Sequence, residues 1–155
     1  MQTPTWIGSH GINRALRFDN VWPSLDIWKG NDTDIYFAAK TSGPSVILDE
    51  YGFELSNVDL TGCKVMFIIS DVEKKDTSGN DLIILVKTSG DTGGIAITDA
   101  INGKMIISLL HTDFSATEPG IYNCEVVIQD TDEKVHTLAK SVLNLIHSVA
   151  DGVTW

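Results

Sequence analysis

Basic residues are scarce in this 155-residue chain, where eleven Lys and Arg face 21 Asp and Glu for a net charge of −10. A surface so acidic repels phosphate backbones, and nowhere do the few cations gather into the stripe that counterion release requires, which excludes nucleic acid as a partner. Long hydrophobic runs are missing as well. No stretch approaches the roughly 20 apolar residues of a membrane-spanning helix, so no membrane partner is expected. The opening Met1-Gln2-Thr3-Pro4-Thr5-Trp6 lacks the basic flank and apolar stretch of a secretory signal, and the expected compartment is the cytoplasm. With two cysteines and four scattered histidines, the chain has neither a C-x₂-C hook nor paired His spacing, and no metal or other cofactor is expected. No amphipathic segment is long enough for a crossover helix, which argues against a parallel sheet covered by helices. Internal repeats and low-complexity tracts are missing too.

What is present is a 43% apolar content, enough for one domain with one core, broken into short runs between Gly, Asp, Asn and Ser clusters. Strands are predicted near Asp34 to Lys40, Cys63 to Val72, Leu82 to Thr88, Gly94 to Ala100, Lys104 to His111, Ile121 to Asp130 and Val135 to Ile146. Side chains alternate between the faces of a strand, so Cys63, Val65, Phe67 and Ile69 share one face and Tyr122, Cys124, Val126 and Ile128 share another. Polar Asn123, Glu125 and Gln129 lie behind the second set, as in an antiparallel sheet wet on one side. Leu82 to Val86 is apolar on both faces, which fits a central strand or one covered by another segment, either the N-terminal arm or a neighbouring subunit. The apolar phase changes between Val135 and Leu145, which predicts a bulge there or two strand pieces. Asp130 to Lys134 and Asn102-Gly103 read as hairpin turns. Thr112-Asp113 could cap a short helix or 3₁₀ turn ending before Pro119.

Residues 1–30 hold three of the four tryptophans and show no strand alternation. They are expected to form an aromatic-rich arm, dispensable for folding, ahead of a domain at 31–155. Trp6, Trp22, Trp28 and Trp155 are the candidate interaction residues, because exposed aromatic surface is stable only when packed on the domain or on a partner.

The segment Gly120-Ile121-Tyr122-Asn123-Cys124 has the spacing that resembles the tyrosine corner of immunoglobulin domains. An ordered series of short matches goes further: Val58-Asp59-Leu60-Thr61-Gly62 leading into Val65-Met66-Phe67, then Ile97 to Ala100, Gly103 to Leu109, Gly120 to Tyr122 and Val135 to Leu138. Together they resemble the immunoglobulin-like domain at the N-terminus of phage baseplate upper proteins, over about Asp34 to Val149. Two departures are Ala139-Lys140-Ser141 where a Gly would follow the last Thr-Leu, and a chain that ends at Trp155.

The resemblance implies an all-β fold, an immunoglobulin-like antiparallel β-sandwich of about seven strands with an N-terminal extended arm. It also implies a non-enzymatic structural or adaptor protein of a bacteriophage tail or baseplate, assembled in the bacterial cytoplasm and located in the virion. Its partners would be other virion proteins, in a homo-oligomeric ring or a hetero-assembly. Tyr122, Cys63 and Cys124 are then structural. The two cysteines fall about where immunoglobulin domains place their bridge, so a disulfide is sterically conceivable, although buried free thiols suit a cytoplasmic chain better.

Other readings carry less. A carbohydrate-binding or capsid-decorating sandwich would use the tryptophans as a stacking platform. Gly90-Asp91-Thr92-Gly93-Gly94 is close to a serine-protease signature, but Thr92 stands at the nucleophile and the chain is too short for two barrels. Asp91-Thr92-Gly93 matches the aspartic-protease triplet, without the apolar strand that should lead into it.

Overall fold

The structure is a computed structural model that describes residues 5–7, 24–42, 55–90 and 92–149, with 5–7, 40–42 and 55–57 described as backbone alone. All the regular structure among them is β. The strands are β1 (Thr5–Ile7), β2 (Leu25–Trp28), β3 (Thr33–Ala38), β4 (Lys40–Ser42), β5 (Leu55–Asn57), β6 (Lys64–Lys75), β7 (Asp81–Thr88), β8 (Ile95–Asp99), β9 (Lys104–Leu109), β10 (Gly120–Gln129) and β11 (Val135–Ile146).

Two sheets face each other. One has four strands in the order β1-β3-β9-β8 and the other five in the order β2-β11-β10-β6-β7, while β4 and β5 form a separate pair. The ladders are antiparallel except β1 on β3 and β2 on β11. The inward faces interlock in one apolar cluster: Ile35, Phe37, Met105, Ile107 and Leu109 from the first sheet meet Phe67, Ile69, Val126, Ile128, Leu143 and Leu145 from the second. This is the immunoglobulin-like β-sandwich expected from the sequence.

All seven predicted segments form strands, and local chemistry decides their details. The expected strand from Asp34 to Lys40 divides at Ala39, whose N–H donates to the Gly103 carbonyl while its own carbonyl accepts from Val58 N–H. The chain thereby leaves the first sheet to form β4. Gly103, in the predicted Asn-Gly turn, has φ of 69° and lies so close to this crossing that a Cβ would meet the Val58 and Ala39 carbonyl oxygens at 2.7 and 2.8 Å. The predicted bulge is present: Val126 faces Ala139 and Val127 faces Thr137, so Leu138 is the extra residue and both Leu138 and Ala139 turn into the core.

The expectation of a short helix or 3₁₀ turn at Thr112 needs correcting. Residues 111–116 form successive turns closed by N–H bonds from Asp113 to the Leu110 carbonyl and from Ser115 to the Thr112 carbonyl. Asp113 does cap, but it caps backwards, accepting from the Leu110 N–H at 2.7 Å. The central-strand reading of Leu82 to Val86 is also corrected, because among the described residues β7 is the last strand of its sheet.

Part of the stretch 1–30 expected as an arm, the strand β2, is paired into the five-stranded sheet. Leu143 faces Leu25 and Leu145 faces Ile27 across the β11–β2 ladder, and Leu25 and Ile27 are 2% and 1% exposed. Residues 25–28 are a core strand of the sandwich, which four residues are too short to announce by alternation alone.

The β10–β11 hairpin contains the one non-glycine residue among those described with positive φ, Glu133 at 64°. The Asp130 carbonyl accepts from Glu133 N–H, and Asp130 N–H donates to the Lys134 carbonyl, which closes the turn with Glu133 in the left-handed conformation that glycine adopts without strain. Replacing Glu133→Gly should raise stability by about 1 kcal/mol, read from the urea midpoint at unchanged slope.

Candidate interaction surface

The most functional-looking surface is the outer face of the five-stranded sheet, opposite the core. Met66 lies between Thr88 of β7 and Val127 of β10, and Ile68 lies between Val86 and Glu125. These positions alternate with the buried Val65, Phe67 and Ile69, so the pleat aims them outward. An outward face is usually polar, yet Met66, Val86 and Ile83 are exposed by 44%, 43% and 51%. At the end where β6 begins and β7 stops, a groove of about 600 Å³ opens, lined by Met66, Val127, Val135, Thr88, Lys64 and Gln129 with Cys63 at its margin. Apolar walls with a few polar groups suit the seating of a side chain or a peptide.

The groove carries no reactive constellation. Its thiol, Cys63, is pushed above the usual range, first by burial and then by the charges of Asp130 and Asp59, so it is held as the weakly nucleophilic thiol. No group of three His, Cys, Asp or Glu among the described residues is arranged to hold a metal ion. Asp76, in the acidic turn 76–81, spends its carboxylate on the N–H groups of Ser78 and Asn80.

The sequence-predicted residues scatter. Trp28, on β2 at the far edge of the same sheet, is 46% exposed and remains open to a partner. Trp22 and Trp155 lie outside the described residues, as do the side chain of Trp6 and the Asp91 of the protease-like triplet. Tyr122 is buried, and its hydroxyl donates to the Glu118 carbonyl at 2.5 Å, four residues upstream, as in a tyrosine corner.

The cysteines do not bridge. Both are free thiols, and their places forbid the inter-sheet disulfide, because Cys63 leads into β6 and Cys124 lies on β10, neighbours in one sheet. Cys124 faces Ile69, six residues beyond Cys63, which at roughly 3.3 Å per residue sets them about 20 Å apart, against the roughly 7 Å Cα limit for a disulfide. Burial pushes the Cys124 thiol up to about 12. In the native protein at mild alkaline pH, iodoacetamide should therefore modify the half-buried Cys63 first and leave Cys124 unreacted until denaturant is added, as peptide mass mapping would show.

Acidic turn residues hold the loops around this surface. Asp130 has its pKa lowered mainly by the hydrogen bond from the His136 ring, and further by Lys134 N–H. The Asp59 carboxyl is lowered by the Thr61 hydroxyl, and that of Asp71 by the N–H groups of Glu73 and Lys74. At the opposite loop, Asp32 is lowered by the His111 N–H and ring, which join the start of β3 to the end of β9. A carboxyl whose folded pKa lies below its unfolded value contributes stability that is complete above the unfolded value, near 3.8, and disappears as pH falls through the folded one. The urea midpoint should hold level on these groups from neutral pH to about 5 and fall below about 4, and Asp130→Asn should make that fall shallower.

In sequence the chain matches no protein-family model and no curated protein. In structure it is similar to the N-terminal domain of phage TP901-1 ORF48, with a TM-score of 0.51 at 8% identity over 93% of this chain and 98% of that one. Murine CRIg aligns with a TM-score of 0.36 at 12% identity, over 81% of this chain and 92% of that one. A family 123 glycoside hydrolase from Clostridium perfringens aligns with a TM-score of 0.30 at 13% identity, over 84% of this chain but 23% of that one. At such identities the likeness to the phage domain is one of fold: this chain is an all-β sandwich built on the plan of a known phage protein domain.

Proposed function

We propose that the chain is a non-enzymatic structural or adaptor protein of a bacteriophage tail or baseplate, acting through protein–protein association. The observation that carries this reading is the end-to-end fold correspondence with a phage protein domain, 93% of one chain against 98% of the other. The ordered motifs from Val58 to Leu138 point the same way. An outer sheet face bearing Met66, Ile83 and Val86, and an exposed Trp28, provide apolar surface of the kind that subunit contacts cover. Its partners would be other virion proteins, in a ring or a mixed assembly put together in the bacterial cytoplasm. The groove has no described aromatic residue in its lining, so it offers no stacking platform for a sugar.

The test is quantitative mass spectrometry of density-purified particles from the source culture after phage induction. The chain should co-sediment with tail proteins in fixed proportion to them. Particles that lack it, or that carry it in amounts varying from one preparation to the next, would remove the virion reading.

A further inference from the structure

We propose that Asn102 is a deamidation site that the folded turn holds closed, so that its conversion marks and retires chains whose β8–β9 turn has stood open. Asn102 is the one Asn in the sequence that is followed by Gly. In an open chain this pair is reactive, because glycine sets no side chain in the way of its own main-chain nitrogen. The Gly103 nitrogen gives up its proton and attacks Asn102 Cγ. An N–Cγ bond forms, the Cγ–Nδ2 bond breaks, and the side-chain nitrogen leaves as ammonia once a proton is returned to it. Water then opens the cyclic imide at one carbonyl or the other, which yields aspartate or isoaspartate with no change of oxidation state.

The fold calls for both members of the pair. Gly103 has φ of 69°, and a Cβ there would stand 2.7 Å from the Val58 carbonyl oxygen and 2.8 Å from that of Ala39, so a side chain has no place. Asn102 closes the turn: its main-chain N–H donates to Asp99 Oδ1 at 3.3 Å and its side-chain amide donates to Asp99 Oδ2 at 2.8 Å. The same bonds restrain the chemistry. Asn102 Nδ2, the leaving nitrogen, is held by Asp99, and the Gly103 N–H, the attacking group, is committed to the Ala100 carbonyl at 3.1 Å. The turn has to open before the ring can close.

Both products spoil the site they form in. Aspartate sets a carboxylate against that of Asp99, where an amide had donated, and the like charges repel. Isoaspartate carries the main chain through an extra methylene beside Gly103, where the Val58 and Ala39 carbonyls already pack close. The damage extends past the turn, because the Ala100 carbonyl also accepts from Leu60 N–H at 2.8 Å and so anchors the segment that leads into β6. A folded chain keeps its amide, whereas one left open long enough loses the means to close well.

Peptide mass mapping of the full chain, held at mild alkaline pH in buffer and in guanidinium chloride, tests this. Asn102 should convert faster in denaturant by about tenfold or more, because native conversion follows the small population with the turn open. Aspartate and isoaspartate should both appear, since direct hydrolysis of the amide gives aspartate alone. Asn144, which precedes Leu145, should lag behind Asn102 in denaturant. Asn102→Asp, the milder of the two lesions, should lower the urea midpoint at unchanged slope. Equal rates in buffer and denaturant overturn the proposal, as do Asn144 keeping pace with Asn102, a product that is aspartate alone, or a midpoint unmoved by Asn102→Asp. Each of these outcomes leaves the virion reading where it stands.

Discussion

Asp113→Ala should cost the fold about 3 to 5 kcal/mol, more than any surface substitution in the domain. The reason lies in Lys87, which faces Phe67 across the β6–β7 ladder and so points into the sandwich. Lys87 is 8% exposed, with its ammonium 2.7 Å from the Asp113 carboxylate in the turns that connect the two sheets. The stem reaches that partner because Gly94, at φ of 91°, has no side chain: a Cβ there would lie 2.7 Å from the Lys87 Cδ. Removing the carboxylate leaves a shielded cation unpaired and also frees the Leu110 N–H that shares the same oxygen. Combining Lys87→Met with Asp113→Asn removes both charges, keeps an acceptor for that N–H and should recover most of the loss. Urea denaturation of the single and double variants checks the pair. A loss below about 1 kcal/mol for Asp113→Ala would mean that the ammonium finds water instead.

A chain lacking residues 1–30 should be less stable than one lacking residues 1–23 by about 4 kcal/mol, a large share of the 5 to 15 typical of a domain. The difference between them is β2. Burying Leu25 and Ile27 contributes roughly 1.5 to 3 kcal/mol for each side chain, and losing the strand also uncovers the side of β11 that carries Leu143 and Leu145. Thermal melts followed by circular dichroism would show the shorter chain melting far lower or not folding. Equal melting temperatures would show that the sheet closes without β2.

Particular residues show why some of this was legible before the fold was known. The alternation of Val65, Phe67 and Ile69, and of Tyr122, Cys124, Val126 and Ile128, identifies buried faces because a pleat turns every second side chain the same way. The phase change near Leu138 announces a bulge for the same reason, since one extra residue exchanges the faces. The Asn102-Gly103 and Asp130-to-Lys134 turns are local chemistry, and so is the bond from Tyr122 to Glu118. β2 is not legible in the sequence because four residues give only two turns of an alternating pattern, and its burial depends on β11, more than 100 positions away. The outer-face surface was hinted at by the two-sided apolar run from Leu82 to Val86, but a run of that kind does not say whether the strand is central or terminal.

The seven longer segments, the turns at Asn102-Gly103 and Asp130 to Lys134, and the inward residues of strands such as β6 and β10 were therefore determined by the sequence alone, because they depend on neighbours one to five residues apart. Which strands lie side by side was decided only by the tertiary structure. It set Cys63 and Cys124 in one sheet beyond bonding reach, and it made β7 an edge. It also turned Lys87 inward to meet Asp113. Strand order rests on contacts between residues far apart in the chain, and local periodicity carries no record of which distant strand fills each place.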